Sequence, residues 1–298
     1  MKVVVTGATG VIGRAVVRAL AERGDAVVAL SRDGSRSLPG AEVVEWRRPK
    51  EEPAPASAFA DVDGVVHLLG EPLAQRWSDD VKREIHDSRV LGTRNLIAGM
   101  QSARPSVLVG QSAIGYYGPR GDEIVDESSG PGSDFQASVV VDWEAESLGA
   151  RQLGMRVAVC RTGVVLSPSG GALEKMLTPF KLGVGGPVAG GRQYLPWVHI
   201  DDVVGAMLFA LDTDGVDGPV NVTAPTPVTN RDFSKALGRA LHRPTVLPVP
   251  GFALRLLYGE MATIVTTGVR AEPRRLRELG YEFRQPELEP ALEAALSG

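Results

Sequence analysis

The sequence predicts an α/β protein: a Rossmann-like, doubly wound parallel sheet with a smaller, mostly helical C-terminal lobe. Three observations predict it. Short runs such as KVVVT, AVVALS and GVVHLL are apolar nearly throughout, as strands covered on both faces are. Stretches with helical spacing separate them. A glycine-rich turn, TGATGVIG from Thr6 to Gly13, joins the first such strand to the first such helix.

The elements follow in order. KVVVT (2–6) is a β-branched strand; VIGRAVVRALAERG (11–24) has an apolar stripe at helical spacing and a terminal glycine; AVVALS (26–31) returns to strand. EVVEW, GVVHLL, the long helical stretch from Ser78 to Met100, SVLVGQS, the helix DFQASVVVDWEAESLGARQLG and MRVAVCRTGVVL repeat the alternation. From Ser167 to Trp197 the glycines multiply and periodicity fades, which predicts loop and insertion. HIDDVVGAMLFAL is helical, PVNVT resembles a last strand, and the remainder from Ala224 is mostly helical. The expected organisation is therefore a cofactor-binding unit over 1–166 that also takes in about 197–224, with 167–196 and 225–298 forming the second lobe over the open ends of the strands.

With 298 residues, 43% of them hydrophobic and 23% charged, the chain can bury a large core. A net charge of −4 offers no basic field for a nucleic acid. Cys160 is the lone cysteine, so no intramolecular disulfide can form, and a reduced, cytoplasmic setting is expected. The opening MKVVVTG reads as a strand and not as a secretory signal, and no apolar run approaches the roughly 20 residues of a membrane span. The four histidines stand singly, so no metal site is expected.

Strand, glycine turn and helix are the context in which such a turn binds a dinucleotide. Gly7 permits the tight turn, Gly10 lets a pyrophosphate approach the backbone, and Gly13 lets the helix pack closely; the helix start offers free N–H groups. Gly7, Thr9, Gly10, Val11, Ile12 and Gly13 are the candidate cofactor contacts there. The second strand ends in Ser31-Arg32 where an NAD site usually ends in a carboxylate, so NADP(H), whose 2′-phosphate takes a cation and a hydroxyl, is the expected cofactor. Arg14 is a second candidate cation, and the competing account gives the acidic role to Asp33.

TGATGVIG, GVVHLLG, SRVLGTRNL and WVHIDDVVGAM together resemble the short-chain dehydrogenase/reductase superfamily in its extended, sugar-nucleotide-epimerase-like branch. QSAIGYYG, DFQASVVVDWEAES, CRTGVVLSPSGGALEKML, VNVTAPTPVTNRDF and PVPGFALRLLYGEMA narrow the resemblance to atypical "epimerase family" proteins with a C-terminal domain of unknown function, once labelled cell-division inhibitor homologues. That resemblance covers the whole chain and implies a cytoplasmic NADP(H)-binding protein. It also assigns Leu68, Leu69, Gly70 and Arg89 to the cofactor.

The extended branch works with Tyr-x-x-x-Lys, in which the lysine and the nicotinamide lower the tyrosine's pKa for proton transfer. Setting Glu144 at the branch's glutamate places Val140 where the lysine would be and Gln136 where the tyrosine would be, and Phe135 beside it has no hydroxyl. Ser112, Tyr116 and Tyr117 of QSAIGYYG are the replacement catalytic candidates, each with a packing role as the competing account. Glu71, Arg192 and His199 are the candidate substrate contacts; Arg192 suits an anionic group, and His199, at a helix start with Asp201 and Asp202 following, suits a helix cap better than a ligand contact. Trp77 can line the pocket mouth, His67 suits a satisfied core imidazole, Arg161 an internal ion pair, and Leu254, Leu256, Leu257 and Met261 a helix core, although an apolar lobe surface also permits a homodimer. The expected function is an NADP(H)-dependent oxidoreductase or epimerase-like enzyme on a small polar, anionic or neutral substrate; the alternative is a non-catalytic NADP(H)-sensing regulator.

Overall fold

The computed structural model describes residues 1–245 and 247–297; Val246 and Gly298, both inside the expected C-terminal lobe, lie outside the described residues. Seven parallel strands form the central sheet: β1 (Lys2–Thr6), β2 (Ala26–Ser31), β3 (Glu42–Glu45), β4 (Gly64–His67), β5 (Val107–Ala113), β6 (Arg156–Thr162) and β7 (Gly218–Val222). Their order across the sheet is β7-β6-β5-β4-β1-β2-β3. The chain winds outward from β1 to β3, then returns to lay β4 on the other side of β1, with Val5 level with Ala29 on one flank and Val66 on the other. That reversal makes the switch point at the ends of β1 and β4, where doubly wound sheets bind ligands.

The strands are apolar because both faces are covered. Val3 and Val5 point into one core with Val16 and Leu20 of helix α1 (Val11–Glu22), while Val4 points into the opposite core with Leu96 and Met100 of helix α2 (Asp79–Met100). Helix α3 (Phe135–Leu148) follows β5 and packs beside α2. The strand expected from Met155 to Leu166 breaks at Gly163, where a β carbon would stand 2.1 Å from the Pro196 carbonyl oxygen, so the backbone of 196 can approach only a glycine.

Two expectations are corrected. The stretch from 167 to 196 is not all loop: Gly171–Lys181 is a helix, α4, with Pro179 inside it, and Leu173 and Phe180 bury against Trp197, Phe233 and Leu292 in a separate apolar cluster. Its flanking glycines hid it from a periodicity argument. The segment Gly251–Tyr258 is helical but buries none of its residues, and Phe252, Leu256 and Leu257 are exposed, so of the apolar side chains expected to form core there only the neighbouring Met261 is buried.

Candidate functional site

The turn after β1 is built from backbone geometry. Gly7 has φ +62°, and a β carbon on it would lie 2.5 Å from the Leu68 carbonyl oxygen, so the turn presses directly on the loop after β4. Gly13 is closed in the same way, with Gly7 O only 2.2 Å from where its β carbon would be. Gly10 differs: its β-carbon position meets nothing nearer than Gly7 O at 3.3 Å, and the residue is exposed. Helix α1 has Gly10 at its cap position and so no side-chain cap, whereas α2, α3 and the helix at Ile200–Asp212 are capped by Ser78, Asp134 and His199. Its first N–H groups are therefore left for an anion, and a dinucleotide pyrophosphate fits this cradle. Thr9, Val11 and Ile12 are part-buried around it, and Arg14 is turned back to donate to the Thr9 carbonyl at 2.5 Å.

At the end of β2, Arg32 is exposed and forms no ion pair among the described residues. The Asp33 carboxylate is occupied within its own loop, accepting from the Ser35 N–H at 3.0 Å and the Ser35 hydroxyl at 2.7 Å, which holds its pKa below the usual carboxylate range. The Ser31 hydroxyl accepts from Asp33 N at 3.2 Å.

Behind the switch point His67 is fully buried between two hydroxyls, Thr6 Oγ1 at 2.8 Å and Thr93 Oγ1 at 2.9 Å. Thr93 donates to the Arg89 carbonyl and Thr6 accepts from Leu68 N, so the imidazole donates through Nε2 and accepts at Nδ1. Burial pushes its pKa down to about 3 and keeps it neutral. The ring ties β1, β4 and α2 together.

Beyond the ends of β5 and β6 lies a cavity of about 190 Å³ lined by Arg89, Gln111, Ser112, Gln136, Val140 and Trp143, among others. A second hollow of about 220 Å³ shares Leu73, Ala113, Gln136, Thr162 and Gly163 with it and extends to Tyr194 and Ile264. Gln136 and Val140, one helical turn apart on α3, thus both reach the first cavity, and Gln136 stands where the two meet. Phe135 lines it too and carries Trp77 edge-on against its ring at 5.1 Å between centroids, while Trp77 itself lines neither hollow.

The expected catalytic side chains sit differently. Ser112 is fully buried and donates to Glu144 Oε1 at 2.5 Å. Tyr117 is also fully buried: its hydroxyl donates to Asn221 Oδ1 at 2.8 Å, accepts from Arg161 Nη1 at 3.0 Å, and is pushed by burial up to about 12. That hydroxyl has no free side toward either hollow, so proton donation by Tyr117 is at odds with the packing. Tyr116 lies flat against the Arg161 guanidinium, 3.4 Å from ring centroid to Cζ, and lines neither hollow. Arg161 forms a buried, two-pronged pair with Glu144, both contacts 2.8 Å; burial opposes its charge, but Glu144 raises its pKa above the ordinary arginine value. The chain Ser112–Glu144–Arg161–Tyr117–Asn221 joins α3 to β5, β6 and β7.

The remaining candidates are dispersed. His199 caps its helix, accepting from Asp201 N at 3.2 Å, and burial lowers its pKa. Arg192 is exposed and outside both hollows. Glu71 offers its backbone, with the carbonyl accepting from Arg89 and the N–H donating to Ser88. Thr162, Gly163, Ala113 and Tyr194 line the hollows without having been singled out; their signal was position at a strand end, not residue type. No group of metal-binding side chains occurs among the described residues.

The model of the NAD-dependent epimerase/dehydratase family matches residues 3–223. The chain belongs to this family. A domain of unknown function (DUF1731) matches residues 249–295. An epimerase family protein of Mycobacterium bovis is 40% identical over 97% of this chain and 96% of its own length. A chloroplastic homologue from Arabidopsis thaliana is 39% identical over 99% of this chain and 87% of its own. The human epimerase family protein SDR39U1, crystallised with NADPH, superposes with a TM-score of 0.89 at 34% identity and full coverage of both chains. The sheet order and the glycine turn are those of an extended short-chain dehydrogenase/reductase, and among the described residues no helix is long and apolar enough to cross a membrane.

Proposed function

We propose that this family member is an NADP(H)-dependent oxidoreductase or epimerase-like enzyme for a small polar substrate, working without the Tyr-x-x-x-Lys pair. The carrying observation is the cavity beyond the ends of β5 and β6, lined by Arg89, Gln111 and Gln136 with apolar walls from Val139, Val140 and Trp143, a concave site of the kind that holds a small polar substrate. NADP(H), when bound, supplies hydride transfer at the nicotinamide. Gly7, Gly10, Gly13 and the first N–H groups of α1 bind the pyrophosphate, with Leu68, Leu69 and Gly70 as the facing wall. Ser31 and Arg32 hold the 2′-phosphate, a choice supported by the Asp33 carboxylate being taken up by Ser35 in its own loop and by the NADPH in the human relative.

The Gln136 amide, where the branch has its tyrosine, can orient a substrate oxygen but carries no proton to transfer at neutral pH. Tyr194 is the tyrosine of the second hollow, and we place proton delivery there. The unit holding the cofactor is 1–166 with about 197–224, and 167–196 with 225–298 covers the substrate. Its setting is the cytoplasm, in keeping with the one buried cysteine. The exposed apolar helix Gly251–Tyr258 favours a second reading, an NADP(H) sensor that reports to a protein partner.

Following nicotinamide absorbance as NADPH-loaded protein meets a panel of small carbonyl compounds tests the choice. Consumption that disappears in Tyr194→Phe, with NADPH affinity retained, supports the enzyme and its proton donor. Tight NADPH binding with no consumption, and no epimerised product among the corresponding alcohols, supports the sensor.

A further inference from the structure

Among the described residues nine large apolar side chains are exposed, and all but Met1 and Ile124 fall in two short segments, 182–184 and 247–258. In the helix Gly251–Tyr258, Phe252, Leu256 and Leu257 stand 64–77% exposed, and Leu182, just past α4, is 73% exposed. The two segments run side by side: Val249 N donates to Pro187 O at 2.9 Å, and a β carbon on Gly186 would stand 2.0 Å from the Leu247 carbonyl oxygen. Apolar side chains scattered singly over a surface need no explanation, but seven gathered on one face mark a surface that something apolar covers.

The same face is basic. Within 181–192 and 231–260 seven lysines and arginines, all exposed, stand against Asp232 and Glu260, a net +5 in a chain whose total is −4. Both acids are already engaged, Asp232 by the Thr229 hydroxyl at 2.6 Å and Glu260 by Lys82 at 2.5 Å. Arg239 pairs with Glu289, but Lys181, Lys235, Arg243 and Arg255 form no ion pair among the described residues. Lys235, Arg239, His242 and Arg243 line one shallow hollow with Thr245, whose carbonyl oxygen lies 3.5 Å from the same β-carbon position on Gly186, so the cations border the apolar segments directly.

We propose that this face docks the protein peripherally on a lipid bilayer carrying anionic headgroups. The occupant has to be apolar behind an anionic surface. A second copy of this chain does not meet that requirement, because it would lay one +5 face on another. A bilayer does: protruding side chains enter it without needing a shaped pocket, and lysine and arginine stems carry their charges out to the phosphates. Phe252, Leu256 and Leu257 enter the acyl boundary with Tyr258 at headgroup level, while Lys181, Lys235 and Arg243 meet the headgroups. The helix has only 8 residues, so it lies in the interface and does not cross. Docking of this kind needs no bound cofactor and stands apart from the NADP(H) reading.

Sedimentation of the full chain with vesicles tests this. Phosphatidylcholine vesicles with about one-third phosphatidylglycerol should bind it at least about tenfold more tightly than phosphatidylcholine alone at about 0.1 M salt, and the difference should shrink at about 0.5 M. Phe252→Ser/Leu256→Ser/Leu257→Ser should weaken binding to the anionic vesicles at least about tenfold. Lys235→Glu/Arg243→Glu, which leaves the apolar side chains in place, should lose as much on anionic vesicles and nothing on neutral ones, and it decides the matter should the triple variant not fold. Equal binding of anionic vesicles by the parent and the charge-reversed variant overturns the assignment. So does a parent that binds no anionic vesicle; if that parent is a dimer which the triple substitution splits, the face belongs to a second copy.

Discussion

The glycine turn and helix α3 belong to the same dinucleotide-binding frame, but they are constrained at different levels. In the turn each requirement is on the backbone: Gly7 and Gly13 have no space for a β carbon, Gly10 stands open, and α1 starts uncapped. On α3 the requirement is a side-chain function, and Gln136 and Val140 occupy a cavity wall without any group able to move a proton at neutral pH. The cradle can thus be kept while the chemistry is changed, since replacing two side chains on a helix leaves the turn untouched. What α3 does retain is Glu144, bound to Arg161 and Ser112, which fixes the helix against β5 and β6.

The comparison breaks most sharply at Glu144. If its role is to anchor α3, Glu144→Ala strands a buried guanidinium and lowers unfolding free energy by about 3–5 kcal/mol in denaturant melts. A change below about 1 kcal/mol would mean that the pair does not hold the helix. The next effect is acid sensitivity from His67. Its folded pKa is depressed to about 3 from an ordinary value of 6.5, so below pH 6.5 the unfolded chain takes up a proton that the folded one refuses. Stability is therefore unaffected by this group above pH 6.5 and falls by up to about 1.4 kcal/mol per pH unit beneath it. His67→Gln should flatten the slope between pH 6.5 and 5, and parallel curves for the two proteins would remove His67 as its source. Smaller in stability, but sharper in function, is Gly13→Ala. The added methyl meets the Gly7 carbonyl, so we expect a cost of about 1–3 kcal/mol and loss of NADPH binding by calorimetry. Retained binding would show that the turn can shift without losing the cofactor.

Much of this was legible in the sequence, and the division is physical. β1, α1, β2 and β4 could be read because two covered faces demand unbroken apolar strands and the turn demands glycines at fixed spacing. The cap at His199 and the ion pair of Arg161 were equally visible, since both follow from residue type at an element's end. Helix α4 was hidden by its glycine flanks and Pro179. Tyr117 was a reasonable proton donor in one dimension, but only the fold shows Asn221, more than a hundred residues later, taking its hydroxyl. Tyr194 and Thr162 reach the hollows through tertiary proximity, for which neither residue carries a local signal.

The most direct test of the cofactor assignment is the affinity of the protein and of Arg32→Asp for NADPH and NADH, measured side by side by calorimetry. Arg32 is exposed and pairs with no carboxylate among the described residues, so the substitution should leave the fold intact. The parent should bind NADPH at least about tenfold more tightly than NADH, and Arg32→Asp should erase that preference through loss of NADPH affinity. Equal binding of the two cofactors by the parent, or an unchanged preference in Arg32→Asp, would contradict it.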